Sequence, residues 1–151
     1  MASVTAVPQT PVSRTATGAN SLANGTYALL DTIDITAVDP IDELVEVKIT
    51  PGTVSGSYKQ VQVYAKISLD GTNYTSGPES GTTTTDDPNL YLLGTVPCAT
   101  NSTAQTKVFS LRNALGFVPP KYKVIIFNNT GVALAASGNS LNTTSILGNI
   151  A

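Results

Sequence analysis

Val61-Gln-Val-Tyr-Ala-Lys-Ile-Ser-Leu69 alternates apolar and polar side chains along its length. Val61, Val63, Ala65, Ile67 and Leu69 fall on one face, and Gln62, Lys66 and Ser68 on the other. Successive Cβ atoms of a strand point to opposite faces, so a period of two predicts a half-buried antiparallel strand with its apolar set facing in. Asp70-Gly71 follows at once and supplies a turn.

The neighbouring segments repeat the pattern. Upstream, Leu44-Val-Glu-Val-Lys-Ile-Thr50 sets Val45, Val47 and Ile49 against Glu46 and Lys48, and the stretch from Tyr27 to Thr36 places Leu29, Ile33 and Ile35 on one face. Downstream, Leu90–Val96 is more apolar and reads as a central strand, and Thr106–Leu111 alternates weakly. Lys121–Asn128 follows the stop Pro119-Pro120, and Asn128-Asn-Thr-Gly131 reads as a turn into Val132–Ser137, a C-terminal hairpin. Helical periodicity is confined to one turn at Leu111–Leu115. Short strands at near-regular spacing predict an all-β protein, an antiparallel β-sandwich or jelly-roll-like single domain. Its body spans 25–138, with extended N- and C-terminal arms at 1–24 and 139–151.

The arms carry the candidate contact residues. Residues 1–24 are rich in Ser, Thr, Ala and Pro, with Arg14 the one charged side chain and Val4, Val7 and Val12 as apolar anchors. Pro8 and Pro11 disfavour a helix. Two readings stand: a solvated tail, or an arm that orders on a neighbouring subunit, since the high charge typical of disordered tails is missing. The C-terminal segment adds Leu141, Ile146, Leu147 and Ile150, aliphatics that want either the domain's own sheet edge or a neighbour's. Val4, Val7, Val12, Arg14, Ile146, Leu147 and Ile150 are therefore the candidate partner-binding residues. The loop 76–89 is long, and long loops in compact domains are functional or mobile.

Composition narrows the chemistry. Charged residues make up 12% of the chain, half the usual ~25%, so Thr, Ser, Asn and Gly clothe the surface. Eight basic against ten acidic residues give a net charge of -2, and the scattered Lys and Arg form no phosphate-binding patch. Nucleic acid is not an expected partner, and Lys121 and Lys123 read as two solvated lysines. Histidine is absent, which removes Ser-His-Asp and Cys-His machinery and most zinc sites. Asp31, Asp34, Asp39, Asp42, Glu43 and Glu46 crowd one region and Asp86-Asp87 sit in the long loop, but without Trp there is no sugar platform for a carboxylate hydrolase. Asp39-Pro-Ile-Asp-Glu43 and Asp86-Asp-Pro-Asn89 offer calcium-type oxygens, yet both are ordinary turn starters. Cys98 is alone, so no intrachain disulfide forms, and it reads as a small semi-buried hydrophobe. The five N-x-[ST] sequons reflect abundant Asn and Thr. No run approaches the ~20 apolar residues of a membrane helix, and the Ser/Thr/Ala start has no apolar h-region. The expectation is a non-enzymatic protein without cofactor or metal, made in a cytoplasm, with no membrane partner.

Ile67-Ser-Leu-Asp-Gly-Thr-Asn-Tyr74 resembles a strand, Asp-Gly, aromatic hairpin of tailed-phage virion proteins. The C-terminal half is similar to small phage structural proteins in Leu92-Leu-Gly-Thr-Val-Pro97, Ala114-Leu-Gly-Phe-Val-Pro-Pro120, Lys121–Asn128, Asn129-Thr-Gly-Val-Ala-Leu134 and Ala136-Ser-Gly-Asn139. The resemblance covers about half the chain. It implies a virion structural protein resembling capsid decoration (cement) proteins, made in the host cytoplasm and carried in the virion. Implied partners are the major capsid protein or other virion proteins, with a dimer or trimer of the chain itself. The alternative is a tail- or fibre-associated module that binds a receptor or carbohydrate.

Overall fold

The computed structural model describes residues 4–54, 59–82 and 85–150. Among the described residues ten strands run in chain order: β1 Val4–Pro8, β2 Val12–Arg14, β3 Tyr27–Asp34, β4 Asp42–Ile49, β5 Gln60–Ser68, β6 Ser80–Gly81, β7 Tyr91–Pro97, β8 Gln105–Ser110, β9 Lys121–Asn129 and β10 Ser140–Ile150, with one short α-helix, α1, at Leu111–Leu115. They form two antiparallel sheets. One has the order β1-β10-β4-β8 with β2 also on β10, and the other runs β6-β3-β9-β5-β7. β1 and β2 act as one interrupted first strand, because both pair with the same side of β10.

Counting that interrupted strand as one and setting the two-residue β6 aside, the eight remaining strands pair first with last, second with seventh, third with sixth and fourth with fifth. Pairs one and three lie in one sheet, and pairs two and four in the other. That is a long antiparallel hairpin wound into a two-layer jelly roll. The core between the layers holds Val45, Val47 and Ile49 of β4, Val61, Val63 and Ala65 of β5, Tyr122, Val124 and Ile126 of β9, and Leu141 of β10. Each large aliphatic buried there contributes about 1.5–3 kcal/mol.

The period-two expectation holds for β4 and for β5 as far as Ile67. It fails at Leu69, which is 76% exposed because the strand stops at Ser68. In β3 a bulge falls between Leu29 and Asp31, so Leu30 takes the inward place and Leu29 turns outward. An extra residue in one strand reverses the alternation beyond it. The segment Leu90–Val96, read as central, is the edge strand β7. The Val132–Ser137 hairpin is not formed; only a single bridge, Leu134 to Pro51, involves that stretch.

The two arms are strands. Residues 140–150 lie between β1/β2 and β4, with Leu141 and Thr143 buried, so the boundary at 139 does not mark a tail. Val4–Pro8 and Val12–Arg14 pair with this chain's own β10.

Lys66 and Ser68 point away from the core yet are buried, because the loop after β5 folds back over the outer face of the second sheet. Glu79 anchors it, accepting from Lys66 at 2.8 Å and from Lys123 at 2.9 Å. Lys121 pairs with Asp34 at 2.9 Å, so neither Lys121 nor Lys123 is a free solvated lysine. Under the loop, Tyr27, Leu90 and Ile125 form a second small core with Leu29, Tyr64 and Phe127 packed on it.

The two edge strands β7 and β8 approach each other at Gly94. A Cβ there would sit 2.7 Å from the Phe109 ring, and the backbone has φ +152. Gly94→Ala is expected to lower the unfolding free energy by about 1–3 kcal/mol, read as a fall in the urea midpoint with an unchanged slope. An unchanged midpoint would contradict the close approach of the two edges.

Candidate functional site: an apolar end of the sandwich

Three loops meet at one end of the sandwich, where β3, β5 and β8 finish and β4, β7 and β9 begin. The turn after β5 is organised by Asp70. Its carboxylate accepts from Ser68 Oγ at 3.0 Å, from the Thr72 and Asn73 amides at 2.8 Å each, and from Asn73 Nδ2 at 2.7 Å. Those donors, the two backbone amides foremost, hold its carboxyl below the usual range. A turn fixed this way presents Leu69 to solvent on a stiff support.

Behind it, Ser110 caps α1 by accepting from the Asn113 amide at 2.9 Å, and its hydroxyl donates to Asp42 at 2.6 Å. The chain leaves α1 through Phe117, 42% exposed, into Val118-Pro119-Pro120. The third loop turns after Ile35, whose carbonyl accepts from the Val38 and Asp39 amides. Ile35, Thr36, Asp39, Pro40, Val118, Pro119 and Pro120 line a cleft of about 300 Å³ between these two loops. The Thr36 hydrogen bonds and then the Lys121 ammonium hold the Asp34 carboxyl at about 2, so its pair with Lys121 stays charged well into the acid range.

A two-stranded ribbon extends the same end. β10 leaves β4 at Ile146, and its last residues pair only with β1, from Pro8 opposite Ile146 to Val4 opposite Ile150. Its base rests on the third loop: a Cβ at Gly148 would lie 2.9 Å from Ile41 Cγ2 and 3.3 Å from Val4 Cγ1.

The apolar surface is sorted by end. Among the described residues nine large hydrophobics are exposed, and all but Val12 and Val108 belong to this end: Val4, Val7, Val38, Leu69, Tyr91, Leu92 and Phe117. The loops at the opposite end, 20–26, 50–59, 98–104 and 130–139, expose only Ala, Ser, Thr, Asn and Gly besides Lys59 among the described residues. Scattered single hydrophobics need no explanation, and this one-sided set on neighbouring loops is the candidate contact surface.

Comparison with family models, with curated proteins and with solved structures finds no match for this chain. The site is therefore read from its own chemistry.

All seven candidate partner-binding residues belong to one assembly, the β1/β2/β10 ladder. Val4, Val7 and Val12 are exposed, and Ile146 and Leu147 are half-buried. Arg14 is turned inward, donating from Nε to Thr143 Oγ1 at 2.9 Å. Val38, Leu69, Leu92 and Phe117 escaped the sequence reading. Their signal was an apolar residue beside turn chemistry, as in Leu69-Asp-Gly and Phe117-Val-Pro-Pro.

The acidic residues serve the fold. Asp42 caps the start of α1, Glu46 accepts from Asn142 at 2.8 Å, and Asp31 accepts from the Thr15 amide at 3.1 Å. Among the described residues no group of three or more Asp, Glu or Cys could hold a metal ion. Cys98 is fully buried, and burial pushes its thiol up to about 11. The described aromatics do not make an open platform. Tyr27, Tyr64 and Phe127 pack on one another, Lys123 lies 4.5 Å over the Tyr74 ring, and Tyr91 alone of the described tyrosines is exposed. Tyr58 lies outside the described residues.

Glu43 is the one fully buried acid among the described residues. It accepts from Tyr122 Oη and Ser145 Oγ, tying β4 to β9 and β10. Burial pushes its carboxyl up, against the opposing pull of Ser145, Thr143, Arg14 and Tyr122. A carboxyl raised in the folded state stabilises below its unfolded value, about 4.3, and loses that contribution as pH rises through the elevated folded value. Glu43→Gln is therefore expected to remove a fall in stability between that range and neutrality, measured as urea midpoints at successive pH values. A variant with the wild-type pH profile would contradict the buried acid.

Proposed function

We propose that the protein is a non-enzymatic structural subunit that docks by its apolar end onto a larger assembly, and that the assembly is a phage head, on which it serves as a decoration (cement) subunit bridging neighbouring capsomers. The observation that carries the docking is the sorting of exposed hydrophobics to one end, on turns stiffened by Asp70 and by the α1 cap. The phage setting is supported by the resemblance in Ile67–Tyr74 and in the C-terminal half. A low-charge, hydroxyl-rich outer surface suits a subunit packed many times over a shell, where modest contacts add through multivalency. The partner on this reading is the major capsid protein or another virion protein, and the protein resides in the virion.

The second reading is a tail- or fibre-associated receptor or carbohydrate module. It is favoured by a cleft of about 400 Å³ lined by Thr75, Ser76, Pro88, Asn89, Leu90 and Tyr91, which offers hydroxyls, an amide and one exposed ring.

Co-expressed with the major capsid protein of the same genome, the chain is expected to sediment with assembled shells. Leu69→Ser and Phe117→Ser each alter an exposed side chain, so the fold should survive while shell binding weakens at least about tenfold, as for truncated anchors of an interface. Wild-type protein left in the supernatant beside intact shells would contradict decoration. Glycan-array binding abolished by Tyr91→Ala would establish the second reading in its place.

A further inference from the structure

We infer that the free side of β1 is a pairing edge for a second copy of this chain, joining two ribbons antiparallel across a two-fold axis at Ala6. The observation is one of hydrogen-bond direction. The Gln9 amide donates to the Ser145 carbonyl at 2.9 Å, and β1 keeps that register with β10. In an antiparallel ladder, groups directed at the partner alternate with groups directed away. Thr5 and Val7 thus turn their N–H and C=O toward β10. Val4, Ala6 and Pro8 turn theirs to the other side, where no strand among the described residues lies.

Such edges are ordinarily blunted by charge, above all lysine. Here no charged residue occurs from Val4 to Ser13 or from Asn139 to Ile150. Pro8 and the break before β2 stop the open edge at one end, so among the described residues the pairable stretch is Val4–Pro8, with Ala6 at its midpoint.

A second copy fits that stretch better than an arbitrary strand. Antiparallel about Ala6, each Ala6 N–H meets the partner's Ala6 carbonyl, and each Val4 N–H meets the partner's Pro8 carbonyl. Pro8 has no N–H to offer, and only the Val4 carbonyl is left to water. Val4, Ala6 and Pro8 share one face, so the joined ribbons carry a continuous apolar stripe on that face. Two neutral edges bring no like-charge repulsion, and a two-fold pairing is closed, stopping at the dimer rather than growing into a filament. The contact uses the side of β1 and shares Val4 with the apolar end proposed for docking, while the loop anchors Leu69 and Phe117 lie outside it.

Sedimentation equilibrium over a concentration series of the full chain tests it. The wild type is expected to move from monomer to dimer mass. Ala6→Pro deletes an outward N–H that the internal ladder does not use, and Pro8 already occupies a position of the same parity. This variant should therefore keep the native melting curve while dimerisation weakens at least about tenfold. Ala6→Lys and Ala6→Glu place like charges directly opposite, which should weaken self-association about fivefold, and an equimolar mixture of the two should restore it. Wild-type protein that stays monomeric throughout overturns the inference, as does Ala6→Pro or Ala6→Lys protein that dimerises as tightly as wild type. A monomeric wild type whose shell binding is lost in Ala6→Pro would assign the edge to a capsid strand, and would also overturn it. A monomeric Ala6→Pro protein that still sediments with shells leaves the docking surface standing and confirms the edge as its own contact.

Discussion

The ladder that β10 makes on both of its sides closes the molecule. On one side it pairs with β4, on the other with β1 and β2, so the last strand of the chain lies between the first and the third. Without it, the first sheet would be reduced to β4 and β8, and Val45, Val47 and Phe109 would face an incomplete layer. The inward positions of β10 are Leu141, Thr143 and Ser145, only one of them apolar. The two hydroxyls belong beside the buried Glu43, which in turn accepts from Tyr122 in the opposite sheet. Breaking one member of such a network leaves a buried polar group without its partner, a cost of about 1–3 kcal/mol. The contacts between the layers are therefore specific as well as apolar.

The rest of the structure follows from which end of that closed sandwich each connection falls on. Among the described residues the loops at one end expose mostly Ala, Ser, Thr, Asn and Gly, and they bond to one another, as where the Ser21 amide donates to the Ala135 carbonyl and the Ser102 amide to that of Gly52. At the other end, apolar residues stand on turns that cannot relax inward, because Asp70, the Ser110 cap and the Asp34–Lys121 pair fix the backbone beneath them. Rigid display limits the side-chain entropy lost on binding, which favours a small contact repeated many times. Of the acids that crowd the sequence between 31 and 46, Asp31, Asp34, Asp42, Glu43 and Glu46 are engaged in caps, turns and the interlayer network, and Asp39 lines the cleft beside Pro40.

What was legible in the sequence tracks how simply each strand is buried. β4 and β5 have one dry face and one wetter face, and their alternation shows it. β3 does not, because the bulge at Leu30 moves the inward set by one residue. β7 looked central because it is apolar on both sides, but its second apolar side faces solvent at an edge. The arms were illegible as strands for a different reason. β10 fills its inward face with hydroxyls that meet a buried acid, so neither β10 nor Glu43 carries a hydrophobic signal. β1 is exposed along its whole length, and a strand held by backbone pairing alone has no side-chain period to read. The contact residues divide the same way. Those on β1, β2 and β10 stood out as aliphatics in polar segments, while Leu69, Val38 and Phe117 were hidden among turn residues.

That both terminal segments are strands of one closed sandwich is tested most directly by residue-resolved amide hydrogen exchange on the dilute full-length chain. The expected result is protection of β10 from Leu141 to Ile146 comparable to that of β9, with Thr5, Val7 and Gln9 slower to exchange than Val4 and Ala6. Uniformly fast exchange across 4–14 and 140–150, at the rate of a free tail, would contradict the account.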